Sequence, residues 1–238
     1  MTLTEFLLAA GVVTIGATLQ GSIGFGLGML SVPLLVLIDP RLVPGPLLCA
    51  SVGLTLLLTR REWRGIQFGD LKWALAGRVP GIAAAGVVLT VVPADKIAIT
   101  FGILVLLAVA LSASGLHVGP SPKTLLGAGA LSGFMGTAVA IGGPPMALLY
   151  QRQSGARLRG TLSAFFVVGV AMSVVGLHLV GRFGWTELRL AAVLFPGVLL
   201  GFFISRRTAD VLDSGLLRAA VLLISAVAGI AVIAVHVF

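Results

Sequence analysis

Gln20-Gly21-Ser22-Ile23-Gly24-Phe25-Gly26-Leu27-Gly28-Met29-Leu30-Ser31-Val32-Pro33 interrupts an apolar run, 3–38, that is too long for one membrane crossing. About 20 residues span the hydrocarbon core of a bilayer. A second run, 124–150, is broken in the same manner by Ser132-Gly133-Phe134-Met135-Gly136-Thr137-Ala138-Val139-Ala140-Ile141-Gly142-Gly143-Pro144-Pro145. Glycine clusters loosen a helix and let backbone approach a ligand, and proline suits the first turn of the helix that follows. Such a break leaves N–H groups free at the start of a half-helix, where the dipole favours anions. Irregular backbone at membrane depth is tolerated only against protein or a wet cavity. Two such breaks meeting near the midplane would frame one site.

The rest of the chain fits a membrane protein. Of its 238 residues, 58% are hydrophobic and 10% are charged, against about 25% charged in soluble domains. Mean hydropathy is +1.13. A soluble core of this length could not bury so much apolar surface, so lipid covers the remainder. Apolar segments at roughly 3–20, 24–38, 42–59, 73–92, 97–115, 124–141, 143–150, 160–180, 189–204 and 216–237 leave no room for a soluble domain. The net charge of +8 is topological, because its Lys and Arg sit in short loops and hold them in the cytoplasm. No nucleic acid is expected. Met1-Thr2-Leu3-Thr4-Glu5 has no basic residue before the first apolar segment, so that segment is expected to stay as a helix rather than be removed as a signal peptide.

The charges also set the count of crossings. If 124–150 enters and returns to one face, the loops 60–72, 114–123, 151–159 and 205–218 share a side. They carry Arg60, Arg61, Arg64, Lys72, Lys123, Arg152, Arg157, Arg159, Arg206, Arg207 and Arg218. The other side holds only Arg41, Lys96, Arg182 and Arg189. This asymmetry places both termini outside the cytoplasm. The chain also repeats. A shift of 112 residues puts Gly21 on Gly133, Gly24 on Gly136 and Pro33 on Pro145. After a four-residue insertion in the 151–159 loop, a shift of 116 puts Arg41 on Arg157, Pro80 on Pro196 and Gly81 on Gly197. Repeat 1 (1–118) then begins outside and repeat 2 (119–238) inside. The expected fold is an all-α integral membrane protein of two inverted repeats, with about ten helical segments and a broken helix pair opening each repeat. Inverted repeats with matched breaks are a recurring design of secondary transporters.

The expected substrate contacts follow from the breaks. Gln20, Gly21, Ser22, Gly24, Gly26 and Ser31 come from the first, and Ser132, Gly133, Gly136, Thr137, Gly142 and Gly143 from the second. Arg78, just before Pro80-Gly81, is the basic residue within a span. A charge at the bilayer centre costs about 2.5–3.5 kcal/mol on insertion scales, which marks Arg78 as functional unless it snorkels toward Lys72. The acidic residues Glu5, Asp39, Glu62, Asp70, Asp95, Glu187, Asp210 and Asp213 all lie at or near loops. No carboxylate relay for protons or sodium is therefore expected. His117, His178 and His236 read as interfacial side chains, Cys49 as a packing residue, and Trp63, Trp73, Trp185 and Tyr150 as an aromatic belt. No metal, cofactor or catalytic constellation is legible, so no enzyme is expected.

The two breaks also resemble the signatures of a known family. Gln20-Gly21-x-x-Gly24-Phe25-Gly26 followed by Pro33 resembles the first signature of the TauE/SafE sulfite-exporter-like permeases. Gly133-Phe134-x-Gly136 followed by Ile141-Gly142-Gly143-Pro144-Pro145 resembles the second. The resemblance implies bacterial inner-membrane transport of a small anion, sulfite or an organosulfonate, usually as export. An inside-negative potential contributes about 4.6 kcal/mol per 100 mV for a dianion, so export is electrically downhill. The alternative is an anion channel or an uptake permease for small carboxylates or sulfonates.

Overall fold

The computed structural model describes residues 2–93, 96–116, 118–150, 153, 155–208 and 215–237, without the side chains of 215–218. Asp95, His117, Arg152, Asp210 and Asp213, and the side chain of Arg218, lie outside the described residues. Within them the chain is all-helical, without strands. It forms α1 (Leu3–Ile23), α2 (Leu27–Ile38), α3 (Gly45–Arg61), α4 (Phe68–Val91), α5 (Ile97–Ala113), α6 (Pro122–Val139), α7 (Gly143–Tyr150), α8 (Gly155–Leu179), α9 (Trp185–Thr208) and α10 (Gly215–Val237). Five helices, α1, α4, α8, α9 and α10 from Ala219, are long and apolar enough to cross a membrane. Leu7, Ile15, Val87, Val175, Leu200 and Ile230 lie more than half exposed on such helices, as lipid-facing side chains must.

Glycine sets the packing. The most extensive helix pairs are α4 with α6 and α1 with α9. A Cβ at Gly77 or Gly81 would strike the carbonyl of Leu126 or Ala130, and one at Gly129 or Gly133 would strike that of Ala74 or Arg78. The α1–α9 pair uses Gly197 against Ala10 and Gly201 against Thr14. In both pairs the contacts advance together along the two chains, so the partners run parallel. Backbone approach of this kind is the usual basis of helix association in lipid.

The loops gather at two opposite ends. At one, Gly65 meets Ala156, Gly21 meets Ser205, and the Tyr150 hydroxyl donates to Asp70 at 2.9 Å. This is the arginine-rich end. At the other, Gly45 meets Phe183, and Arg182 donates to the Leu89 carbonyl at 2.7 Å. Trp63 and Trp185 are exposed, one at each end. Tyr150 corrects the expected aromatic belt. It is 1% exposed, because its hydroxyl is drawn inward to Asp70.

The breaks fall where the glycines predict, with one change of offset. α1 ends at Ile23 and α6 at Val139, while α2 opens at Leu27 and α7 at Gly143, so both pairs are 116 apart. The shift of 112 expected for this region does not describe the helix ends. At a shift of 116, Gly24 pairs with Ala140, and these two residues carry the turns, at φ 91° and 58°. Glycine enters the left-handed region freely, whereas alanine there costs about 1–2 kcal/mol. Ala140 closes α6 by donating its N–H to Gly136, and the Ile141 N–H reaches the Met135 carbonyl at 3.3 Å. The Ala140 N–H bond to the Gly136 carbonyl is that of the αL cap, with alanine where glycine is usual.

The prolines also differ. Pro144 and Pro145 lie in the first turn of α7, as expected, but Pro33 is interior to α2. An interior proline leaves the carbonyl four residues earlier without its donor. Here that carbonyl is Met29, and the buried Ser225 hydroxyl of α10 donates to it at 2.9 Å.

Candidate functional site

Arg78 does not snorkel. It is 1% exposed and points between α6 and α8. Glycines clear the space it occupies. A Cβ at Gly169 would lie 2.6 Å from its Nε, and one at Gly136 would lie 2.9 Å from its Nη2. Nε donates to the Gly169 carbonyl at 3.0 Å, Nη1 to Ser132 Oγ at 3.1 Å, and Nη2 to Ser173 Oγ at 3.1 Å. The Phe165 ring lies 5.0 Å from Cζ, within cation–π range. Ser132 passes the connection on by donating to the Gly142 carbonyl at 2.6 Å. Thr137 donates to Ser173 at 2.8 Å. Arg78 therefore ties the second break to α4 and α8.

A guanidinium carries five N–H donors, and three are used. Among the described residues no carboxylate pairs with Arg78; the ion pairs are Arg41–Asp39, Arg61–Glu62 and Arg159–Glu62. A buried charge without a counter-charge is costly, and an anion supplied from outside the chain would balance it.

Beside the guanidinium lies a cavity of about 40 Å³, enough for a few water-sized groups. Both breaks line it, through Gln20 and Phe25–Met29 on one side and Gly136 and Ala140–Gly143 on the other. The breaks touch directly: a Cβ at Gly28 would strike the Ala140 carbonyl, and one at Gly143 would lie 2.8 Å from Phe25 Cβ. Leu30 is the first residue of α2 to bond back, to the Gly26 carbonyl at 3.0 Å. The amides of Leu27, Gly28 and Met29 therefore have no intrahelical acceptor. α7 offers fewer donors, because Pro144 and Pro145 have no N–H. Gln20 is 7% exposed, and its amide has no hydrogen-bond partner among the described residues.

Six of the expected residues line this cavity: Gln20, Gly26, Arg78, Gly136, Gly142 and Gly143. Ser132, Gly133 and Thr137 stand behind it, holding Arg78 or its partners. The remaining four face elsewhere. Gly21 and Ser22 contact Ser205 and Thr208 of α9, Gly24 packs on Arg159, and Ser31 donates to the Val12 carbonyl at 3.4 Å. Sequence reading missed Ser51 and Thr55, which line the cavity from α3, and Gly169 and Ser173, which hold Arg78 from α8. Each pair is spaced four apart and so shares one helix face, a signal visible in otherwise apolar segments.

A wider cleft of about 530 Å³ opens at the other end, near Arg41, Arg182 and His236. Its arginines already have partners, in Asp39 and the Leu89 carbonyl.

Residues 7–232 match the family model described as Sulfite exporter TauE/SafE. No curated protein and no solved structure matches the chain. Nearly the whole helical array, with both breaks and Arg78, lies inside the matched span, and the chain belongs to the sulfite exporter TauE/SafE family of membrane transporters.

Proposed function

We propose that the chain exports a small oxyanion, sulfite or an organosulfonate, which binds in the cavity between the two breaks. The observation that carries this reading is the buried Arg78 guanidinium, unpaired with any described carboxylate and with two N–H groups to spare, beside that cavity. The α2 amides and the Gln20 side chain add neutral donors opposite it. An oxyanion accepts several hydrogen bonds at once, and charge-assisted ones are the stronger kind.

Alternating access is supported by the way the elements pair. The 116-residue offset relates α1 to α6, α2 to α7 and α4 to α9. Each half's first helix packs on the fourth helix of the other half, as α1 on α9 and α6 on α4. We read these as two inverted repeats that rock about the cavity. The arginine-rich end then faces the cytoplasm of a bacterial inner membrane, and the membrane potential favours outward movement of an anion.

The test is flux from proteoliposomes loaded with sulfite, taurine or acetate. Saturable sulfite efflux with competition among sulfur oxyanions supports the reading. Unsaturable conductance would replace it with an anion channel, and saturable acetate flux alone would replace the substrate.

A further inference from the structure

At the arginine-rich end, directly below the first break, two arginines share one carboxylate oxygen. Arg61 Nε and Arg159 Nε donate to Glu62 Oε1 at 3.0 and 2.9 Å. All three side chains are less than one-fifth exposed. The same arginines hold the end of α1. Arg61 Nη2 donates to the Gly21 carbonyl, and its Nη1 donates to Ser205 at 3.0 Å. Arg159 Nη1 reaches the Ser22 carbonyl at 3.4 Å, and a Cβ at Gly24 would lie 3.3 Å from Arg159 Cα. Residues 21–24 are the chain between these arginines and the cavity-lining Gln20, Phe25 and Gly26. The cluster fastens α1 to α3, α8 and α9 on the arginine-rich side of the cavity-lining residues. It carries two positive charges against one negative.

We propose that Arg61, Glu62 and Arg159 are a second oxyanion station and the gate on this side of the cavity. An oxyanion arriving from this face accepts the N–H bonds that Glu62 now accepts. The displaced Glu62 then no longer ties Arg61 and Arg159 to the end of α3, and this loosens their hold on Gly21 and Ser22. The proposal rests on the cavity being the transport site, as proposed above.

The experiment uses the full chain, Cys49→Ala with Ser51→Cys as the reporter in the cavity. A membrane-impermeant thiosulfonate is applied to inside-out vesicles, with and without taurine, a sulfonate that does not attack the reagent through sulfur. Glu62→Gln is expected to raise the labelling rate from the arginine-rich face by roughly tenfold or more, because removing one partner of a mostly buried ion pair leaves the others uncompensated. In right-side-out vesicles the rate is expected to stay unchanged. Arg159→Gln provides a second test should Glu62→Gln fail to insert, with the same expected direction. Unchanged labelling in an inserted variant would overturn the gate. Taurine protection of Ser51→Cys is read separately in the parent, because its absence would overturn the cavity reading and leave the gate result standing.

Discussion

Gly28 packs against the Ala140 carbonyl so closely that no Cβ fits between them. One residue opens α2 and the other ends α6, so this contact is where the two breaks are pressed together. Gly28→Ala must push backbone against backbone, which cannot relax as a side chain can. Overpacking of this kind costs about 1–3 kcal/mol. Transport is expected to be lost while membrane insertion persists, as is also expected for Gly136→Leu and Gly143→Leu. Flux per inserted protein checks this, and full activity in all three would remove the breaks from the mechanism.

Arg78 needs its fork as well as its charge. Its three nitrogens reach three separate acceptors, Gly169, Ser132 and Ser173. Lysine keeps the charge but supplies a compact point donor. Arg78→Lys is expected to weaken anion binding by roughly tenfold or more, which is about 1.4 kcal/mol, and Arg78→Gln to abolish it. Titration calorimetry on the detergent-purified variants reads both.

Ser225→Ala tests the repair of α2. The hydroxyl is fully buried and donates to Met29, whose helical donor is missing because residue 33 is proline. Leaving that carbonyl unpaired costs about 1–3 kcal/mol. Unfolding in detergent is expected at lower temperature, with anion affinity at the cavity largely kept. An unchanged melting temperature would mean another donor replaces Ser225.

Low pH should loosen the end opposite the arginine-rich one. Asp39 accepts from the Arg41 side chain and backbone, and that arginine holds its carboxyl below the ordinary value. A depressed folded-state pKa contributes stability that is whole above the ordinary carboxylate pKa, about 3.9, and is lost as pH falls through the lowered value. Arg41 is well exposed, so the effect is small and screened by salt. Melting curves of the parent and Asp39→Asn are expected to converge as pH drops below about 4.

Much of this fold is written in the sequence. Apolar runs and glycine breaks mark the helices, and α7 occupies the expected 143–150. The breaks are legible because glycine and proline act locally. The offset between them is less so, because Pro33 matches Pro145 in sequence but sits a turn deeper in its helix. The cavity is only half legible. Glycines such as Gly136 announce close approach, but not whether a ligand or a neighbouring helix makes it. Ser51, Thr55 and Ser173 join the site through packing between distant segments, and their four-residue spacing marks a shared helix face without saying what that face meets. Tyr150 shows the converse, since its place near a segment end suggests an interface while Asp70, 80 residues away in sequence, draws it inside.

The most direct test is calorimetric titration of the purified protein with sulfite, alongside sulfate, taurine and acetate, in the parent and in Arg78→Gln. The account predicts saturable binding of sulfite or a sulfonate by the parent at one site per chain, and its loss in a folded Arg78→Gln. Equal binding by both proteins would contradict it, because the buried guanidinium would then not be the counter-charge of the transported anion.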